Sequence, residues 1–109
     1  MKNGFHLKMK RQKLINAKVI VLNEFGPTLG RPYVDTIKGS KYKNLKELRI
    51  NNKKYVIRIM FIFDKKRNCW LLIGGNKKGK KEKLFYKNII KQTEELIEKY
   101  IEILEEKDA

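Results

Sequence analysis

The chain has 109 residues, of which 41% are hydrophobic. That composition supports one domain, residues 1–109, and is too apolar for a disordered tail. No apolar run approaches the ~18 residues of a membrane span, and the first residues lack the apolar stretch of a signal peptide. Cys69 is the single cysteine, which indicates a small core residue rather than a disulfide, a metal ligand or a nucleophile. We therefore expect a cytoplasmic protein with no membrane partner and no bound metal.

The charge is large and unevenly distributed, with a formal net value of +15. Residues 1–81 contain 22 Lys and Arg against 4 Asp and Glu, whereas residues 82–109 contain 5 against 8. The positive charges of so basic a domain repel each other unless a bound polyanion offsets them. Nucleic acid is the obvious partner, because each neutralised phosphate releases counterions. A lysine-rich proteome would explain part of this excess, but not its concentration in the first three quarters of the chain.

The first predicted element is a helix over Lys10–Phe25, where Leu14, Val21 and Leu22 share one face and Gly26-Pro27 ends the run. The preceding stretch, Met1–Met9, is expected to be weakly ordered or to form a short edge strand. Residues 28–44 are rich in Gly, Pro and Ser and predict a loop, with a short turn of helix around Val34–Ile37.

Three strands are predicted next, over Leu45–Ile50, Tyr55–Phe63 and Cys69–Gly75. In the second, the odd positions form a continuous apolar face and Arg58 lies on the opposite face. The short polar links favour an antiparallel meander. The basic loop NKKGKKEK precedes a last helix that starts near Lys83–Leu84. The fold class is α+β: a small twisted antiparallel sheet of three to four strands, with an N-terminal and a C-terminal helix on one face.

The residues that could take part in catalysis or binding lie around this sheet. Arg49 and Arg58 are expected to share the face away from the core. The remaining candidates flank them on the first strand, after the third strand and at the start of the last helix, and are Lys46, Glu47, Lys77, Lys78 and Tyr86. On spacing alone, a solvated face of a half-buried sheet explains these charges at least as well as a site.

The order of motifs resembles the HigB branch of the RelE/ParE toxin superfamily, the phage-protein-like group. The matching runs are LGRPYVDTIKGSKYKNLKELRI, YVIRIMFIFDKKRNCWLLIGGNKKGK and FY at a helix start, from Leu29 to Tyr86. The resemblance implies a RelE-like fold, although relatives usually begin with a strand before the first helix.

The resemblance also implies an activity. RelE-like toxins are similar to metal-free ribonucleases that cut mRNA in the ribosomal A site and arrest growth under stress. In that reaction the 2′-hydroxyl attacks the neighbouring phosphate and leaves a 2′,3′-cyclic phosphate. It requires cations to stabilise the phosphorane, a group to take the 2′-hydroxyl proton and a group to protonate the leaving oxygen.

The family's roles extend to residues of this chain by position in its motifs. Arg58 and Arg49 are implied to bind the transition-state phosphate, and Lys77 to bind phosphate or act as the acid. Lys46 and Glu47 are the available proton-transfer groups, although Glu47 could equally hold Arg49 as an ion pair. Tyr86 could stack on a base, assist proton transfer or pack the helix start.

RNA contacts are implied for Arg67 of the second turn, for Trp70 and for the basic loop, with Lys78, Lys80 and Lys81. Trp70 could equally be a packed aromatic. His6, the only histidine, is expected to be a solvated residue rather than a catalyst.

The resemblance implies two partners: mRNA on the ribosome and a cognate HigA-like helix-turn-helix antitoxin, with no cofactor. Two alternatives stay open at this point. One is a basic module that binds RNA or the ribosome without cutting, and the other is a ParE-like inhibitor of DNA gyrase on the same fold.

Overall fold

The structure is a computed structural model that describes the backbone of residues 2–106 and the side chains of residues 11–102. Two long helices enclose a meander of four strands, and a single 3₁₀ turn over Gly26–Thr28 follows the first helix. The elements are α1 (Lys2–Phe25), β1 (Val34–Thr36), β2 (Lys46–Asn51), β3 (Val56–Phe63), β4 (Cys69–Asn76) and α2 (Glu82–Glu106). The predicted α+β class, with a helix at each end of the sheet in sequence, is confirmed.

The sheet is antiparallel, in the order β1-β2-β3-β4. Short side chains close its turns by binding backbone N–H groups. Asn52 Oδ1 accepts hydrogen bonds from the N–H groups of Lys54 and Tyr55, and Asp64 Oδ1 accepts from Lys66 and Asn68. These local bonds fix the register of the three predicted strands, as expected where Asn and Asp mimic backbone acceptors.

The two helices lie on opposite faces of the sheet, so the prediction that both occupy one face is wrong. Leu22 of α1 packs against one set of strand residues, which includes Ile57, Ile59 and Phe61. Residues of α2 pack against the other set; together these are Met60, Ile62, Phe85, Ile89 and Ile97. The central strand β3 is therefore buried on both sides, and its two alternating sets of side chains both belong to the core.

Two local predictions also fail. The turn of helix expected around Val34–Ile37 is the strand β1, because its backbone pairs with β2 in the register Val34 to Leu48. The edge strand considered within Met1–Met9 is helical from Lys2, and α1 is correspondingly longer than predicted. That stretch contains Lys, Leu and Met, which favour a helix, and no β-branched residue.

The double glycine at the end of β4 lets α2 approach the sheet. A Cβ atom added at Gly75 would lie 3.1 Å from the ring of Phe85, which is closer than packed side chains normally come. Phe85 also makes an edge-to-face contact with the ring of Tyr86, at 5.3 Å between centroids. The first turns of α2 are thereby packed against β4, and this packing positions Tyr86.

Candidate active site

A buried carboxylate lies where β2 faces the start of α2. Glu47 is only 4% exposed, and both of its oxygens are occupied. Tyr86 Oη donates a hydrogen bond of 2.7 Å to Oε1, and Arg49 Nη1 donates one of 2.8 Å to Oε2. Arg58 Nε lies 3.6 Å from Oε1. Glu47 is therefore the common partner of two guanidinium groups and one phenol.

The guanidinium of Arg58 is buried beneath this cluster. Arg58 is 2% exposed, and Nε donates to Tyr86 Oη at 3.2 Å. Nη1 donates to Asn51 Oδ1 at 2.7 Å and to the carbonyl oxygen of Ile57 at 2.9 Å. Every buried side-chain nitrogen and oxygen in the part of the chain with described side chains has a hydrogen-bond partner. Such complete pairing is what makes a buried charge tolerable.

Arg49 and Arg58 are direct cross-strand partners on β2 and β3. Like charges in that arrangement repel each other, so the negative charge of Glu47 is needed to offset them. The two arginines differ in access to solvent, because the side chain of Arg49 is 21% exposed and that of Arg58 is 2% exposed. Arg49 is the member of the pair that can meet a ligand directly.

Tyr86 connects the buried charges to the surface. Burial and the hydrogen bond to Glu47 raise the pKa of its phenol, while Arg58 opposes the rise. The phenol is therefore protonated at neutral pH. The ammonium group of Lys77 lies 5.2 Å from the centre of the Tyr86 ring and forms an ion pair of 2.7 Å with Glu82.

An open groove of about 540 Å³ runs beside this cluster, between β1, β2 and the first turns of α2. Its basic lining residues are Arg31, Lys38, Arg49, Lys83 and Lys87. Its acidic lining residues are Asp35, Glu47 and Glu82. Arg31 Nη2 and Asp35 Oδ2 pair at 2.5 Å, and Glu47 is already neutralised by the arginines. The surface that remains available to a ligand is basic and suits a phosphate-bearing chain.

The arrangement offers anion binding together with a route for a proton. Arg49 presents a fork of donors that matches phosphate oxygens. Tyr86 and Glu47 both line the groove and share a hydrogen bond, so a proton gained at the phenol oxygen can be passed to the carboxylate. Among the described side chains, no group of three or more His, Cys, Asp or Glu residues could hold a metal ion.

Comparison with known proteins gives the family. The sequence profile of the family described as "Phage derived protein Gp49-like (DUF891)" matches residues 5–98. The chain belongs to this family.

Two named relatives of the Gp49-like chain come from Mycobacterium tuberculosis. The chain is 40% identical over 90 residues to a protein named "Putative toxin HigB2", and 39% identical over 85 residues to one named "Putative toxin HigB3". The matches cover 82% and 78% of the chain, but only 44% and 73% of the relatives, so it spans less than half the length of the first. No solved structure matches. The HigB-like resemblance seen in the motifs is confirmed.

The predicted site residues of the Gp49-like chain divide into two groups. Glu47, Arg49, Arg58 and Tyr86 converge on one cluster, with Lys77 beside it. The cluster lies under α2 and not on a solvated sheet face, which corrects the expected face of the two arginines. Lys46 points to the opposite side of β2, where its ammonium group donates to the carbonyl oxygen of Pro27 at 3.2 Å, because neighbouring strand residues alternate between faces.

The residues predicted to bind RNA are scattered. Arg67 lies in the β3–β4 turn, where it adopts a positive φ of 66°, at the end of β3 farthest from Arg58. The Trp70 indole N–H donates to Asp64 at 3.0 Å, and its ring packs on the core. Lys78 donates to the carbonyl oxygen of Lys53.

Lys80 and Lys81 line a separate cavity of about 470 Å³ on the β4 side of α2. None of these five predicted RNA-binding residues lines the groove beside the cluster. His6 lies on α1, outside the described side chains.

Sequence reasoning missed four basic groove residues: Arg31, Lys38, Lys83 and Lys87. Arg31 stands in the LGRP run and Lys38 in the KGS run, so the matched motifs already contained them. Lys83 and Lys87 are four residues apart on α2, the spacing that places two side chains on one helix face. That spacing was the available signal for a basic stripe beside Tyr86.

Proposed function

We propose that the chain is the toxin of a type II toxin–antitoxin system and that it cuts mRNA on translating ribosomes without a cofactor. The toxin role is supported by the family and by two relatives whose names contain that word. Cleavage is favoured by one observation: Tyr86 and Arg49 both contact a buried carboxylate at the wall of a basic groove. Binding of RNA would require the cations alone, and the phenol–carboxylate pair adds a route for a proton.

In this proposal the scissile phosphate binds to Arg49, the arginine that reaches the groove. The 2′-hydroxyl attacks phosphorus and loses its proton to Tyr86 Oη, while the Tyr86 proton passes to Glu47 along their 2.7 Å hydrogen bond. The bond from phosphorus to the 5′-oxygen breaks, and the Lys77 ammonium protonates that oxygen. The products are a 2′,3′-cyclic phosphate and a 5′-hydroxyl, and exchange with solvent restores Glu47 and Lys77.

Arg58 has a positioning role in this scheme. Its guanidinium lies beneath Tyr86, so direct contact with a phosphate would require the phenol ring to move. From there it fixes the direction of the Tyr86 hydroxyl and adds positive potential behind the phosphate. Glu47 lines the groove, but both of its oxygens already accept hydrogen bonds, so in this scheme it receives its proton through Tyr86.

Positioning of the RNA supplies much of the rate enhancement in reactions of this type. We propose that the ribosome holds the mRNA in the groove, and we expect weak activity on free RNA. The site of action is then the cytoplasm, and the partner that suppresses it is a cognate HigA-like antitoxin. Expression of the chain alone should arrest growth, and co-expression of that antitoxin should restore it.

The decisive test is 5′-end mapping of mRNA on translating ribosomes with variants that keep the fold. Tyr86→Phe removes one oxygen and keeps the ring contact with Phe85, and Arg49→Gln removes a charge that is partly exposed. We expect each to lower cleavage about 10²-fold or more. Lys66→Gln, in the β3–β4 turn, removes one charge at the far end of β3 and should cleave like the wild type.

The outcomes separate the proposed nuclease from the alternatives. Wild-type cleavage in the A site that is lost in Tyr86→Phe, while ribosome binding is kept within a few-fold, supports the nuclease. Ribosome binding without cut mRNA would replace it with a binding module. Intact mRNA together with DNA damage signalling would replace it with a gyrase inhibitor.

A further inference from the structure

Glu82, at the wall of the groove, forms an ion pair with Lys77. The side chain of Glu82 is 72% exposed and lines the groove with Arg49 and Tyr86, whereas the side chain of Lys77 is only 16% exposed. A solvated acidic side chain is therefore paired with a largely buried basic one. That arrangement differs from an ordinary surface pair, in which both partners extend into solvent.

The position of this carboxylate is electrostatically that of an anionic ligand. Lys77 binds it at 2.7 Å and lies above the Tyr86 ring. The pKa of the Glu82 carboxyl group is lowered by Lys77 and further by the charges of Arg58 and Arg49. Three cations thus act on one exposed carboxylate. A phosphodiester oxygen placed there would pair with Lys77 and lie in the field of Arg49 and the buried Arg58.

We propose that the Glu82 carboxylate marks a second phosphate subsite, formed by Lys77 beside Arg49, and that Glu82 competes with RNA phosphate for it. The inference rests on the proposed function in taking RNA as the ligand. RNA that enters the groove displaces Glu82 and takes over Lys77, while Glu82 moves into solvent. This competition lowers the general affinity for RNA of a chain whose formal net charge is +15. RNA that the ribosome holds in the groove can still displace Glu82 and bind Lys77.

The test is a binding titration with a short single-stranded RNA that carries 2′-O-methyl groups at every ribose and cannot be cleaved. Four proteins are compared: wild type, Glu82→Gln, Lys77→Gln and the double variant. Glu95→Gln is the control, since Glu95 is exposed on the same helix and its loss changes the net charge equally. Thermal melting of each protein verifies that the fold is kept.

We expect Glu82→Gln to bind this RNA about two- to fivefold more tightly than the wild type, and Glu95→Gln to gain clearly less. Because Lys77 is free to contact one more phosphate, the slope of log affinity against log salt should become steeper, by at most about 0.7. In the Lys77→Gln background the Glu82 substitution should bring no gain beyond that of the control. The effect then belongs to the pair and not to net charge.

Two results would overturn the inference: an equal gain in Glu82→Gln and Glu95→Gln, or a gain that persists without Lys77. Its failure is distinguishable from failure of the nuclease proposal, because the methylated RNA reports binding only. If Glu82→Gln brings no specific gain in RNA binding while the wild type cleaves mRNA in the A site, the subsite proposal fails and the nuclease proposal stands. If the gain is present and depends on Lys77 but no mRNA is cleaved, the nuclease proposal fails and the subsite proposal stands.

Discussion

Removal of Glu47 alone should strongly destabilise the fold, because it leaves two guanidinium groups facing each other across β2 and β3. Glu47→Leu deletes the carboxylate that lies 3.6 Å from a guanidinium only 2% exposed. Loss of one partner of a buried pair costs about 3–5 kcal/mol. Against a typical stability of about 5–15 kcal/mol, that is a large fraction. In a chain of this size the melting temperature should fall by roughly 10 °C or more.

The matched variant removes both charges. Glu47→Leu with Arg58→Met replaces the ion pair by apolar side chains of similar volume, which is often close to neutral. Arg49 keeps access to solvent at 21% exposure, so it can hydrate once Glu47 is gone. We expect the double variant to lie within about 2 kcal/mol of the wild type, although each single variant is strongly destabilised.

Urea denaturation of the four proteins at neutral pH measures this cycle. The effects on the free energy of unfolding should be strongly non-additive: the double variant should lose far less stability than the sum of the losses in the two single variants. A cost below about 1 kcal/mol for Glu47→Leu would refute the reasoning, because it would mean that the arginines are not held by this carboxylate. So would additive single costs. The double variant should also have lost mRNA cleavage despite its stability.

Three further predictions concern packing and titration. Gly75→Ala should cost about 1–3 kcal/mol by melting, since its Cβ would lie 3.1 Å from Phe85, whereas at Gly74 the nearest atom is 3.5 Å away and alanine should be tolerated. The pKa of Tyr86 is raised above 10.0, so the stability that its protonated form contributes is complete below pH 10 and lost as pH rises further; ultraviolet titration of wild type against Tyr86→Phe should show one late-titrating phenol. Burial raises the pKa of the Cys69 thiol to about 11, so alkylation at pH 8 should be slow in the native protein and fast in urea.

The strands and their order could be predicted because their signals are local. Alternation in Tyr55–Phe63 and turn residues such as Asn52 and Asp64 act within a few positions of the chain, and the structure contains β2, β3 and β4 within a residue or so of the predicted limits. β1 could not be predicted in this way. Val34 and Thr36 are β-branched and favour a strand, but the run is short and stands within a Gly- and Pro-rich segment, so its pairing with β2 decides the structure.

The placement of the site was misjudged for a different reason. Both alternating sets of β3 are apolar, since Met60 and Ile62 accompany the odd positions, and that pattern is typical of a strand covered on two sides. Arg58 is the one charged residue in this run, so the sequence did contain a signal that its guanidinium is buried. An arginine in a doubly covered strand requires a buried acid, and Glu47 on the neighbouring strand is the residue whose alternation places it on the same face.

That requirement connects the fold to the proposed chemistry. The buried carboxylate that pairs with Arg58 has both oxygens engaged, and the packing of Phe85 on Gly75 brings Tyr86 to within 2.7 Å of it. The phenol is then held by a donor on one side and an acceptor on the other. Its proton is thereby directed toward Glu47, in a residue that also lines the groove. The stability of this cluster and its route for a proton therefore both involve Glu47, Arg58 and Tyr86. Tyr86→Phe is the informative variant, because it removes the hydroxyl that carries the proton and keeps the packed ring and the buried ion pair.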